Sequence, residues 1–355
     1  MSPLKRLQNE LEKHQLEAIL VSDLTNVHWL TGFTGTFGFV LVTTDKAFFL
    51  TDSRYAIQSR EEVKNFEVAH FSKPITTLEF LDQYIKKLGI QKLAFEQSAS
   101  YEDWQSWTKQ FAPIQLVPAP PILDDLRSIK TPEEIQKIKK SCALADACMS
   151  HIQKMIRPGV REYDLTLEVE FFFRRHSAGI GFPPIIVSGK NSAYPHGKPS
   201  EKRLDAGDFV TLDFGAILEG YHSDITRTYV VLEVSEKHLQ IYHAVLEAQQ
   251  AAMDFLKPGL LAKDVDQKAR DVIAGYGFGE YFGHGLGHSL GMLCHDGQLL
   301  NTESTTVIMP NQVWTIEPGI YVEGFGGVRI EDDVVVTETG IELLTHSSRE
   351  LMVLP

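Results

Sequence analysis

Two aspartates eleven positions apart, Asp213 and Asp224, sit in neighbouring strand-like runs, FVTLDFG and YHSDITRTYVV. Side chains alternate along a strand, so Asp213 shares a face with Thr211, and Asp224 shares one with Thr226 and Thr228. A chain that turns near residues 218–220 would set the two carboxylates nearly opposite each other, with Cβ atoms roughly 5 Å apart. Carboxylates held that close repel, and a sheet tolerates them only with a shared proton or a cation. Further along, GHGLGHSLGMLCHD gathers His284, His288 and His295 among glycines, where backbones can approach closely. Glu317 ends the run WTIEPG just before Pro318, and Glu331 lies inside VRIEDD. A lone histidine is more often structural than a ligand, and a lone strand glutamate usually faces water. Two Asp, at least one His and two Glu, each in an apolar strand or a glycine-rich turn, are hard to explain as solvated surface.

An oxygen-rich set with a single imidazole suits hard or borderline divalent ions, manganese first, with cobalt and zinc also acceptable; Cys294 is not needed as a ligand. Carboxylates bridging two such ions would hold a water between them and bring its pKa toward neutrality, making a hydroxide nucleophile at physiological pH.

The elements that must position these groups follow from periodicity and caps. Up to about residue 125, short apolar runs alternate with helical ones, as α/β domains do. A helix at 4–14, a strand at 18–21, a hairpin from 39–43 and 46–51, a helix at 77–88, a strand at 92–96 and a helix at 101–110 are expected. Pro113, Pro118, Pro120 and Pro121 then read as a linker. Thr131, Pro132 and Glu134 form a helix start, with a capping hydroxyl, a proline at the first helical position and a capping-box glutamate. Further helices are expected at 163–175, 237–256 and 262–276, with strands at 209–214, 225–232, 313–317 and 328–336. Helices against a mostly antiparallel sheet make residues 126–355 an α+β domain, preceded by a smaller α/β domain at 1–125. No internal repeat is visible.

The 355 residues carry 34 Lys+Arg against 47 Asp+Glu, a formal charge of −13, which argues against a nucleic-acid partner. Three sparse cysteines, Cys142, Cys148 and Cys294, read as reduced thiols in a cytoplasmic protein. The start, MSPLKRLQNELEKHQ, lacks the apolar stretch of a signal peptide, and no run approaches the roughly 18 residues of a membrane span. Eight of the 13 histidines fall in the last 160 residues.

The run His284–Asp296, HGLGHSLGMLCHD, resembles the signature of the metallopeptidase family that includes aminopeptidase P, prolidase and methionine aminopeptidase, whose fold is called pita bread. Cys294 departs from it, replacing a β-branched aliphatic residue, a change expected to adjust only packing. The resemblance implies metal ligation by Asp213, Asp224, His288, Glu317 and Glu331, with Asp224 and Glu331 bridging two ions. It implies that Glu317 also moves the proton of the attacking water. His196, His284 and His295 would orient the scissile carbonyl and stabilise its oxyanion. Tyr321 and Arg329 would line the substrate pocket and buttress Glu331, and Thr226 would bond a ligand carboxylate. A homodimer is also implied.

A bond before proline is a tertiary amide without an N–H, so peptidases that hydrogen-bond that group are left unpaired. A metal site that grips the free amine and the carbonyl avoids that requirement. The substrates implied are short peptides with proline second. TNVHWLTGFTG and TDSRY resemble the aminopeptidase P group, so an Xaa-Pro aminopeptidase is the expectation, with an Xaa-Pro dipeptidase as the alternative. A catalytically dead binding protein on the same fold would have lost ligands, and none is missing. DFG at residues 213–215 lacks the other kinase motifs, and GHGLG lacks the dinucleotide-loop spacing.

Overall fold

The computed structural model describes residues 1–355, which divide into two compact units, Met1–Arg127 and Ser128–Pro355. The first is built on a six-stranded mixed sheet in the order Glu67–Phe71, Ala47–Asp52, Phe39–Thr43, Ala18–Val21, Lys92–Phe95, Gln115–Pro118. Every residue of Ala18–Val21 is buried, as a strand covered on both faces requires. The proline-rich stretch is not a linker. Gln115–Pro118 is the last strand, parallel to Lys92–Phe95, and an edge position tolerates the N–H that Pro118 lacks. No helix of the chain is long and apolar enough to cross a membrane.

In the second unit, the Thr131 hydroxyl accepts from the Glu134 N–H at 3.2 Å while Glu134 accepts from the Thr131 N–H at 2.8 Å, opening the helix Pro132–Ile152. Its buried residues Ile135, Ile138, Cys142, Ala145, Met149 and Ile152 recur at helical spacing. With the helix Glu162–Arg175 it supplies a core behind the strands Phe209–Phe214 and Ile225–Val231. A second pair of helices, Glu236–Phe255 and Ala262–Gly275, supplies another core behind Val313–Ile316, Gly319–Val322, Gly326–Arg329 and Asp332–Val336. Two helices followed by antiparallel strands therefore occur twice, a repeat the side-chain sequence does not display.

The expected strand over 328–336 is broken at Ile330–Glu331. Arg329 pairs with Gly319 in one ribbon, Asp332 with Ile316 in another sheet, and Glu331 alone with Thr226. The break has a cause: the Glu331 N–H donates to the Thr226 carbonyl at 3.1 Å, so this residue joins the two halves rather than continuing either ladder.

Arg227 locks that junction. It is 1% exposed, and its guanidinium donates to Asp332 Oδ1 at 2.6 Å and to the carbonyls of Glu331 and Ser347, both at 2.6 Å. Removing one member of a buried pair leaves the other charge uncompensated, at a cost of about 3–5 kcal/mol. Arg227→Ala should lower unfolding free energy by that order, read from the denaturant midpoint, and a change below about 1 kcal/mol would remove this ion pair from the fold's essential contacts.

Candidate metal centre

Asp213 is buried on the strand Phe209–Phe214, but its direct cross-strand partner is Thr226, not Asp224. The hairpin turns at Glu219–Gly220, both at positive φ, with Leu218 paired to Tyr221. That centre shifts the register by two, so Asp224 lies diagonally from Asp213 on the same face. Beside it, a Cβ on Gly215 would lie 1.9 Å from the Ser223 carbonyl oxygen, so glycine permits this crossing.

His288 comes from the short strand Gly287–His288. A Cβ on Gly287 would lie 2.1 Å from the Thr315 carbonyl oxygen, so the histidine segment reaches the Val313–Ile316 strand only through glycine. The Thr315 hydroxyl accepts from the His288 N–H at 3.0 Å and donates to Glu317 Oε1 at 3.4 Å, tying two candidate ligands together. His288 Nε2 faces Asp224 Oδ2 at 3.7 Å and Glu317 Oε1 at 3.5 Å. Donor atoms of Asp224, His288 and Glu331 lie within 4.8 Å of one another. All five candidate ligands line one cavity of about 840 Å3, together with His196, His284, His295, Cys294 and Arg329.

The surroundings assign different supports from those expected. Arg329 donates to Asp213 Oδ2, to the Tyr321 hydroxyl at 2.8 Å, to the Pro195 carbonyl at 3.2 Å and, through Nε, to the Thr226 hydroxyl at 3.2 Å; it clamps Asp213 directly and reaches Glu331 only through Thr226. Glu331 is held by Thr226, whose hydroxyl donates to Oε2 at 2.6 Å. Tyr321 is not among the residues lining the cavity; it stands behind His284 and Arg329. His284 has both ring nitrogens committed, Nδ1 to the Gly285 carbonyl at 2.8 Å and Nε2 to the Tyr321 hydroxyl at 2.9 Å. Since a carbonyl only accepts, the proton belongs on Nδ1, and Nε2 accepts from Tyr321, whose oxygen accepts from Arg329. His284 therefore offers the cavity no free donor, whereas His196 and His295 do. The His295 ring stacks on His288 at 3.8 Å between centroids.

One group was not singled out from sequence, and one does more than pack. Asp333 accepts the Asp224 N–H at 2.9 Å, and Cys294, expected only to adjust packing, has its Sγ 3.2 Å from Asp224 Oδ2. Strand alternation puts Asp333 on the face of Glu331 and was the available signal for it; nothing in sequence brings Cys294 onto Asp224.

Electrostatics show what this arrangement lacks. Burial pushes Asp213 up against the lowering effect of Arg329. Burial, then the charge of Glu331, pushes Asp224 well up, and burial, then Glu317, does the same to Glu331. Burial lifts Glu317 to about 8 despite Arg329. Burial lowers His284 to about 4, and burial with neighbouring His295 lowers His288 to about 3, leaving neutral rings suited to ligation. Four ionised carboxylates against one guanidinium leave −4 + 1 = −3 in a buried site, and Asp224 Oδ1 has no hydrogen-bond partner. Carboxylate oxygens with neutral imidazole and this charge deficit fit a pair of divalent cations.

A fold with a histidine and four carboxylates converging on one cavity defines a metal-dependent hydrolase. Residues 136–338 match the family model for metallopeptidase family M24, and residues 3–129 match the creatinase/prolidase N-terminal domain. The chain is similar to an Xaa-Pro dipeptidase structure from Bacillus anthracis, with 41% identity, 99% of each chain covered and a TM-score of 0.96. It is 37% identical to an Xaa-Pro dipeptidase of Pyrococcus furiosus, covering 98% of this chain and 99% of that one. An X-Pro aminopeptidase structure from Thermotoga maritima shares 33% identity, covers 97% of this chain and 100% of that one, and has a TM-score of 0.91. The chain belongs to metallopeptidase family M24. It is a metallo-exopeptidase, with a creatinase-like domain preceding a pita-bread domain.

Linkage gives a test independent of substrate. The buried carboxyls keep protons when folded that the unfolded chain, titrating near pH 4, has lost. Stability of the chelated protein therefore falls as pH rises, by about 1.4 kcal/mol per pH unit for each such group, until its folded value is passed. From about pH 6.5 His284 and His288 are neutral when folded and lose only the last half of their protonation when unfolded, a small opposing effect, so the window from there to about 8, where Glu317 titrates, is dominated by the carboxyls. Thermal unfolding in chelator should show lower stability at pH 8 than at pH 6.5, and manganese should stabilise more at pH 8. Greater stability of the chelated protein at pH 8 would contradict the site's charge deficit.

Proposed function

We propose that this chain is an Xaa-Pro dipeptidase that cleaves the bond between an amino-terminal residue and a carboxy-terminal proline. The observation that carries the reading is the convergence of Asp213, Asp224, His288, Glu317 and Glu331 with two free-edged histidines, His196 and His295, on one cavity. Relatives named Xaa-Pro dipeptidases, aligned over nearly the whole chain, support the dipeptide over the aminopeptidase expected from LTGFTG and TDSRY. Those two runs have another use. Phe33 packs edge-on against Tyr55 with centroids 5.5 Å apart, the Thr36 and Tyr55 hydroxyls are 2.7 Å apart, and Asp52 accepts from Arg54 at 2.7 Å. These contacts lie within the first unit. The Thermotoga aminopeptidase keeps the longer substrate as the second reading.

Asp213, Asp224, His288, Glu317 and Glu331 would hold two divalent ions, manganese being the first candidate. Such ions lower the pKa of bound water and polarise the scissile carbonyl. Glu317 would take the proton of the attacking water and return it to the departing proline nitrogen. His196 and His295, each with an uncommitted ring, are the groups able to donate toward the developing oxyanion. Arg329 favours the ionised form of Asp213 against burial and aims it, and through Tyr321 fixes the orientation of His284.

Offered Ala-Pro and Ala-Pro-Ala side by side, the manganese-loaded protein should cleave the dipeptide and leave the tripeptide; equal or faster cleavage of the tripeptide would reverse the assignment in favour of an aminopeptidase. Asp224→Ala should lose bound metal, by elemental analysis, and at least about 100-fold in kcat/KM. Full activity in that variant, or after chelation of the native protein, would sink the metal reading altogether.

A further inference from the structure

Cys294 stands where the family resemblance calls for a β-branched aliphatic side chain, and its surroundings are not those of a packing group. Its Sγ lies 3.2 Å from Asp224 Oδ2, the oxygen that faces His288 Nε2 at 3.7 Å. Donor atoms of His288, Cys294 and His295 lie within 4.8 Å of one another, as do those of Asp224, His288 and Glu331. Independently of the thiol, Asp224 Oδ1 is buried at this corner with no hydrogen-bond partner. The other two thiols differ: Cys142 and Cys148 are buried along the helix Pro132–Ile152, and Cys142 donates to Asp333 Oδ2 at 3.3 Å.

The two donor groups share His288 but differ in softness. Asp224, His288 and Glu331 offer oxygen and one nitrogen; His288, Cys294 and His295 offer two nitrogens and a sulfur, a set that suits zinc or cadmium far better than manganese. His288 Nδ1 is turned to the Ser289 carbonyl at 3.3 Å, so Nε2 is the nitrogen left for a cation, and it serves one ion at a time.

We propose that His288, Cys294 and His295 form an alternative, inhibitory site for a thiophilic divalent cation, zinc being the representative ion. The proposal rests on the metallopeptidase reading and adds a regulatory ligand to it. Binding forms a bond from the cation to Cys294 Sγ and releases the thiol proton to solvent. It withdraws His288 from the carboxylate-rich set and His295 from the substrate side, so one cation removes a ligand and an oxyanion donor together. An aliphatic residue at position 294 would lack this response.

Cadmium chloride is the probe, because cadmium thiolates absorb in the near ultraviolet. Titration of the metal-free full chain should develop that absorption, and Cys294→Val should abolish it while retaining Cys142 and Cys148; Cys294→Ser serves as the second variant should valine disturb folding. In the manganese-loaded protein, cadmium should inhibit Ala-Pro cleavage at concentrations at least about tenfold lower for the native chain than for Cys294→Val, the inhibition of each protein being referred to its own cadmium-free rate. Absorption persisting in both variants would assign it to the helix thiols and overturn the proposal, as would equal inhibition of native and variant proteins. Since the absorption needs no substrate, failure of the dipeptidase reading would leave it intact, and the two failures are distinguishable.

Discussion

Four carboxylates share one buried site with a single guanidinium, and this charge imbalance is the constraint around which the second unit is organised. Asp213, Asp224, Glu317 and Glu331 are each raised by burial, and Arg329 reaches only Asp213 directly. Without a cation, protons must stand in, which a folded protein near neutral pH holds at a cost. With two divalent ions the same oxygens become ligands. The neighbours are arranged accordingly. Thr226, Thr315 and Asp333 hold the carboxylates or their backbones from behind, and the remaining oxygens face the cavity.

The fold meets this constraint by drawing ligands from two similar halves. Asp213 lies in, and Asp224 just before, strands backed by one helix pair, while Glu317 and Glu331 flank strands backed by the other. The seam is the isolated pairing of Thr226 with Glu331, and Arg227 fastens it through Asp332 and the Ser347 carbonyl. His288 reaches the seam on glycines whose missing side chains let one backbone lie directly on another. Ligands in or directly beside strands of packed cores have little freedom, because moving one displaces the adjoining strand from its core.

Much of this was legible beforehand. The Thr131–Pro132–Glu134 cap, the four helices of the second unit, the strand of Asp213 and the strands that Asp224 and Glu317 flank follow from local physics: capping, fixed proline φ and alternation act over a few residues. The four acids and the three clustered histidines were visible for the same reason, since each sits in a segment whose apolar neighbours mark it as buried. Register was less accessible. A two-residue shift in the hairpin preserves every side-chain face, so alternation alone could not tell Thr226 from Asp224 as the partner of Asp213. The edge strand Gln115–Pro118 was hidden by its prolines, which forbid a central position but permit an outer one.

The sequence by itself determined which groups could do the chemistry and which local elements carry them, because residue type and short-range periodicity are properties of the chain alone. Tertiary structure decided who supports whom. Arg329 went to Asp213 directly and to Glu331 only through Thr226, Tyr321 to the back of His284 rather than the cavity wall, and Cys294 to the carboxylate of Asp224. These partners are separated by up to 116 positions in the chain, and only the packing of two cores against one seam brings them within hydrogen-bonding distance.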